Sequence, residues 1–111
     1  MENKKYEIIW SPKAYRNIQK IYAFTLEKLG NERYAIKIVK KILKAINSLR
    51  LFPFMYPKIY IDRKIKRQLR RVTVGKYAVI YEVKNNKILI LYIFHENQNY
   101  LNLLLNQENL N

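Results

Sequence analysis

The chain has 111 residues, about the size of one domain, and half of them are hydrophobic, enough for a buried core. It has no cysteine, which excludes a disulfide framework, a thiolate metal site and a cysteine nucleophile. Its 22 Lys and Arg outnumber 8 Asp and Glu, giving a formal net charge of +14 and a field that draws polyanions and acidic proteins.

Tyr6 to Trp10 is a short run of β-formers and predicts a strand. Ser11-Pro12 predicts a helix start: serine accepts from a first-turn amide, and proline at the first helical position needs no donor. Ala14, Ile18, Ile21, Tyr22, Thr25 and Leu29 follow at helical spacing, and Gly30 supplies a left-handed stop. Asn31 caps a second helix whose apolar face is Ala35, Ile38, Val39, Ile42, Ala45, Ile46 and Leu49. Arg33, Lys37, Lys40, Lys41 and Lys44 fall on its opposite face. Pro53 and Pro57 end the helical region.

Residues 58–68 predict a charged loop, followed by three strands in quick succession. The first, Leu69 to Val74, turns through Gly75-Lys76, with glycine where a type II′ turn needs positive φ. Next comes Tyr77 to Lys84, with Tyr77, Val79, Tyr81 and Val83 on one face. Asn85-Asn86 suits a type I′ turn into the third strand, Lys87 to Phe94, which is apolar on both faces and so predicts a central position. Glu96 to Leu105 predicts a short helix carrying Tyr100, Leu101, Leu104 and Leu105, and 106–111 a frayed tail. The order is β-α-α-β-β-β-α in a single domain over 1–111. No run of about 18 apolar residues and no apolar leader follow Met1, so the expectation is a soluble cytoplasmic protein with no membrane partner.

Residues 58–76 hold Lys58, Arg63, Lys64, Lys66, Arg67, Arg70, Arg71 and Lys76 against one acid, Asp62. Two readings fit: an electrostatic footprint for nucleic acid or an acidic partner, or a solvated loop beside an edge strand that lysine keeps from aggregating. Strand alternation puts Arg70 with Val72 and Val74 and turns Arg71 and Thr73 away from that apolar side. His95, the only histidine, ends the predicted central strand and is the one side chain that ordinarily titrates near neutrality. It has no second histidine with which to build a metal site, and the eight acids show no ligand spacing. A Gly-rich phosphate loop is missing too, so no metal, no cofactor and no nucleotide-dependent activity is expected. Tyr77, Tyr81 and Tyr92 suit the core, while Tyr56, Tyr60 and Tyr100 lie near basic or polar segments where rings can stack on bases.

Taken in order, these segments resemble one known family over nearly the whole chain. Ile8-Ile9-Trp10-Ser11-Pro12-Lys13-Ala14, with Ile18 and Tyr22, resembles the "strand, Ser-x-x-Ala, helix" opening of RelE/ParE toxins of type II toxin–antitoxin systems. Leu49-x-x-Phe52-Pro53 is similar to the "Leu-x-x-x-Pro" end of their helical hairpin. Leu69 to Val83 resembles their "Arg…Gly-x-Tyr-x-(hydrophobic)-x-Tyr-x-Val" hairpin, and Ile90 to Asn97 their closing "Ile-x-x-(Ile/Val)-x-His-x-Arg" strand. The resemblance implies an α+β fold: an N-terminal strand and helical hairpin packed on a small, twisted, mainly antiparallel sheet, with a short C-terminal helix. It also implies an antitoxin partner that wraps the toxin; the positive charge suits one with an acidic amphipathic segment.

The family divides by mechanism. RelE-like members cut messenger RNA in the ribosomal A site with basic groups that stabilise charge on the phosphate, whereas ParE-like members poison DNA gyrase by binding. The position after Tyr77, often arginine in the RNases, is Ala78 here, and the basic position after the closing histidine is Asn97. Alanine cannot stabilise developing phosphate charge, a contact worth on the order of 100-fold in rate. The resemblance therefore favours a ParE-like, gyrase-directed toxin whose binding surface draws on Lys58, Arg63, Lys64, Lys66, Arg67, Arg71 and Lys76. The alternative is a ribosome-dependent endoribonuclease with Arg70, Arg71, His95 and Tyr100 in catalytic roles, and a third reading is a non-toxic basic binding module.

Overall fold

The computed structural model describes residues 5–59 and 67–97, and the predicted C-terminal helix lies outside them. Six elements follow in the expected order: β1 (Glu7–Trp10), α1 (Pro12–Leu29), α2 (Glu32–Ser48), β2 (Leu69–Val74), β3 (Tyr77–Lys84) and β4 (Lys87–His95). The helix signals act as the sequence predicts. The Ser11 side chain accepts from the Ala14 amide with Pro12 at the first helical position, and Gly30 closes α1 at φ +59° with its N–H on the Leu26 carbonyl. Asn31 caps α2 by accepting from the Tyr34 amide. A bond from the Tyr22 hydroxyl to Glu32 ties the two helices together near that turn.

The sheet order is β1-β4-β3-β2. β2, β3 and β4 are antiparallel neighbours and β1 lies parallel to β4, so the sheet is mixed and mainly antiparallel. Both hairpins have two-residue turns of the expected sign: Gly75 is at φ +59°, and Asn85 and Asn86 are at +52° and +61°. Lys58 and Ile59, expected in a loop, instead run with Pro57 along the outer edge of β2. The Arg71 amide donates to the Pro57 carbonyl and the Ile59 amide to the Leu69 carbonyl, which covers backbone groups that an edge strand would otherwise expose.

The helical hairpin packs on one sheet face. Ala14, Ile18 and Ile21 of α1 and Ile42 and Ile46 of α2 meet Val72, Val79, Tyr81, Ile88, Ile90 and Ile93. Each large side chain buried there contributes about 1.5–3 kcal/mol. The other face holds a second buried cluster of Leu69, Ala78, Ile80 and Phe94, with Ile59, Leu91 and Tyr92 against it. Burial on both sides explains why β4 is apolar in every position from Ile88 to Phe94.

One irregularity sets the orientation of the strand's end. Tyr81 pairs with Ile90 but Ile80 pairs with Tyr92, so Leu91 is an extra residue, a bulge. It shifts the alternation by one. Ile88 and Ile90 face the helices, and beyond the bulge so do Ile93 and, two residues on, His95. Past Trp10, where β1 ends, α1 takes over the edge of β4: the Ser11 hydroxyl donates to the Leu91 carbonyl and the Ile93 amide donates to Asn17.

Candidate functional site

His95 sits opposite Tyr77 at the end of β4, the two rings edge to face with centroids 5.4 Å apart. Its Nδ1 accepts from the Asn97 amide at 3.2 Å. The Glu96 amide donates to the Lys76 carbonyl, which pins the β2–β3 turn to the end of β4. Beside His95 opens a cleft of about 710 Å³ between α1 and β4, lined by Lys13, Asn17, Lys20, Phe24, Tyr92 and Asn97 among others. The cleft offers two ammonium groups, one imidazole, side-chain amides and aromatic walls, with no carboxylate among its described lining residues. Such a set suits an anionic or aromatic group.

Lys13, Asn17 and Lys20 were not singled out from the sequence. A signal for them existed, since they recur at i, i+4 and i+7 and so form one polar stripe beside the apolar face of α1. What the sequence could not show was the bulge that turns His95 toward that stripe.

The predicted site residues do not converge. Arg70 lies on the helix side, where its guanidinium donates to the carbonyls of Tyr56 at 2.6 Å and Phe54 at 3.4 Å and stacks 5.1 Å over the Phe54 ring. It holds the 53–57 segment in place. Beneath it the Tyr81 hydroxyl donates to the Pro53 carbonyl. Burial pushes the Tyr81 phenol up to about 12, partly offset by the nearby positive charge of Arg70. Arg71 leaves β2 on the other face, opposite Ile80, and its guanidinium lies 5.8 Å from the Phe94 ring. Arg67 grips Glu82 through two hydrogen bonds of 2.7 and 3.1 Å to one carboxylate oxygen. Lys58 is exposed and bridges to Arg70 through the backbone, and Lys76 is exposed in the hairpin turn. Arg63, Lys64, Lys66 and Tyr100 lie outside the described residues. Ala78 is wholly buried between Thr73 and Phe94 in the ladder. Among the described residues no group of His, Asp and Glu is arranged to hold a metal ion, and no helix is long and apolar enough to cross a membrane.

The same helical hairpin on the same kind of sheet recurs in solved toxin–antitoxin structures. A chain of the chromosomal ParDE system from P. aeruginosa superposes with a TM-score of 0.67 at 20% identity, covering 83% of this chain and 97% of that one. A chain of the RelBE2 toxin–antitoxin complex from Mycobacterium tuberculosis superposes with a TM-score of 0.55 at 17% identity, covering 82% and 98%. No curated protein sequence matches the chain. The model of the family described as the ParE toxin of the type II toxin–antitoxin system parDE matches residues 8–100, and the chain belongs to that family.

Proposed function

We propose that this toxin arrests growth by binding DNA gyrase, that it cuts no RNA, and that an antitoxin with an acidic amphipathic segment neutralises it. The observation that carries this reading is the dispersal of the cations that phosphate chemistry would need. Arg70 is committed to two carbonyls on the helix side, Arg71 lies on the opposite face of the sheet, and His95 stands at the α1 cleft. Stabilising a developing phosphate charge requires donors converging within about 3 Å of one point, and Arg70, Arg71 and His95 are held on separate parts of the fold. Ala78 and Asn97 take away two further positions where a cation would help.

Binding makes no such demand. A basic surface with aromatic and apolar neighbours can hold a large partner without reacting with it. Purified toxin added to gyrase is expected to inhibit supercoiling of relaxed circular DNA, while primer extension on translating ribosomes shows no new messenger ends. Codon-phased cuts that vanish in Arg71→Ala would replace this reading with the ribosome-dependent endoribonuclease.

A further inference from the structure

A row of five cations among the described residues lies on α2, outside the cleft, and meets the basic 58–76 segment only where Lys41 and Lys76 line one groove. Arg33, Lys37, Lys40 and Lys44 recur at i, i+4, i+7 and i+11 along α2, with Lys41 beside them. At 100° per residue they occupy one sector about 100° wide, directly opposite the buried Ala35, Ile42 and Ile46. All five are exposed, and no acid shares their sector. Among the described residues none of the five forms an ion pair or a side-chain hydrogen bond. All five line a shallow groove, with Ile36 in the same wall. The first and last of the row are eleven residues apart, about 16 Å along the axis.

Holding like charges in a row is unfavourable, since such pairs at i, i+4 each destabilise a helix by a few tenths of a kcal/mol. We propose that the α2 stripe is a docking surface for the phosphodiester backbone of duplex DNA. The chemistry favours nucleic acid over an acidic protein. Protein interfaces centre on aromatic or aliphatic anchors seated in pockets, and the middle of this stripe has none; Ile36 and Leu43 stand along one flank and Tyr34 along the other. A rigid row of cations instead matches a regular row of phosphates, to which each contact adds without sequence preference. The surface is independent of the gyrase reading, because a toxin that binds gyrase, RNA or neither could still be held on DNA by α2.

The test compares two variants that each lose four charges. Arg33→Gln/Lys37→Gln/Lys40→Gln/Lys44→Gln strips the stripe, and Lys5→Gln/Arg16→Gln/Lys84→Gln/Lys87→Gln removes exposed cations elsewhere. All eight positions are exposed, and glutamine keeps a good helix former on α2. Binding of a random-sequence 20-base-pair duplex is measured by anisotropy across a salt series. Each lost phosphate contact lowers the slope of log K against log salt by about 0.9, so the stripe variant is expected to lose about 3 to 4 units of slope and the control less than 1. Equal losses would mean that net charge alone is read, and would overturn the proposal. So would an unchanged stripe variant, tighter binding of single-stranded RNA with the same number of phosphates, or loss of polyglutamate binding with duplex binding intact.

Discussion

Arg70 and Arg71 are adjacent in β2, so their side chains leave on opposite faces, and that parity was readable from the apolar positions Val72 and Val74 alone. What each arginine does on its face was not readable. The partners of Arg70 are backbone carbonyls at Phe54 and Tyr56, which no side-chain pattern announces. Arg67 looked like part of an unbalanced cationic run because its acid, Glu82, comes from fifteen residues downstream. Arg70→Ala is expected to destabilise the fold by about 1.5–3 kcal/mol, the usual worth of hydrogen bonds to a charged group, and urea midpoints check it. Lysine should restore only part of this, since an ammonium cannot reproduce the forked donors and the stacking on Phe54.

Tyr81 gives a second expectation at this scale. Its folded-state value of about 12 exceeds the ordinary 10.0, so the folded protein holds that proton longer than the unfolded chain does. The contribution is therefore complete below pH 10 and is lost as pH rises toward 12. Tyr81→Phe should flatten that alkaline fall relative to the parent. At pH 7 it should cost about 1–3 kcal/mol, because the Pro53 carbonyl loses its donor. Denaturant midpoints of both proteins across pH 8–12 measure the difference.

At the scale of elements, helices and hairpins were legible because each carries its own punctuation. Ser11-Pro12, Gly30, Asn31, Gly75 and Asn85-Asn86 all act locally, and their backbone angles follow from residue type. The bulge at Leu91 was not legible. An apolar run that is buried on both faces looks the same whether or not its alternation slips by one. The edge pairing of Lys58 and Ile59 was hidden too, in a stretch whose charges suggested a loop. Ile90 lies on β4 between β1 and β3 and is fully buried, so Ile90→Asp should abolish soluble expression by burying an unpaired charge. Lys40→Asp on the exposed face of α2 should leave the melting temperature within about 2 °C, as surface substitutions usually change stability by no more than about 0.5 kcal/mol. A soluble, cooperatively folded Ile90→Asp protein would refute the central position of β4 as the source of stability.

For the whole molecule, on the proposed reading of an acidic amphipathic antitoxin, the net charge of +14 would set how that partner arrives and the apolar surface how long it stays. Where the helical hairpin meets the β2–β3 turn, a groove of about 350 Å³ is lined by Phe24, Leu29, Tyr34 and Ile38 and rimmed by Lys28, Lys41 and Lys76. Phe24 and Leu29 are more than half exposed, unusual for side chains of that size beside a core. An amphipathic segment with acids along its edges would bury the two apolar side chains and meet the three ammonium groups. The two kinds of contact separate kinetically. Rim charges steer encounter and are screened over about 8 Å at physiological ionic strength, so they act on the association rate. Desolvated apolar anchors act on dissociation. Lys28→Gln/Lys76→Gln is therefore expected to slow association with the cognate antitoxin about tenfold at low salt, with the gap closing as salt rises and dissociation nearly unchanged. Phe24→Ala should do the reverse, speeding dissociation on the order of tenfold at any salt. Surface plasmon resonance on the purified pair resolves both rates. A Phe24→Ala protein that dissociates as slowly as the parent would move the antitoxin off this groove, whatever the salt dependence of its arrival.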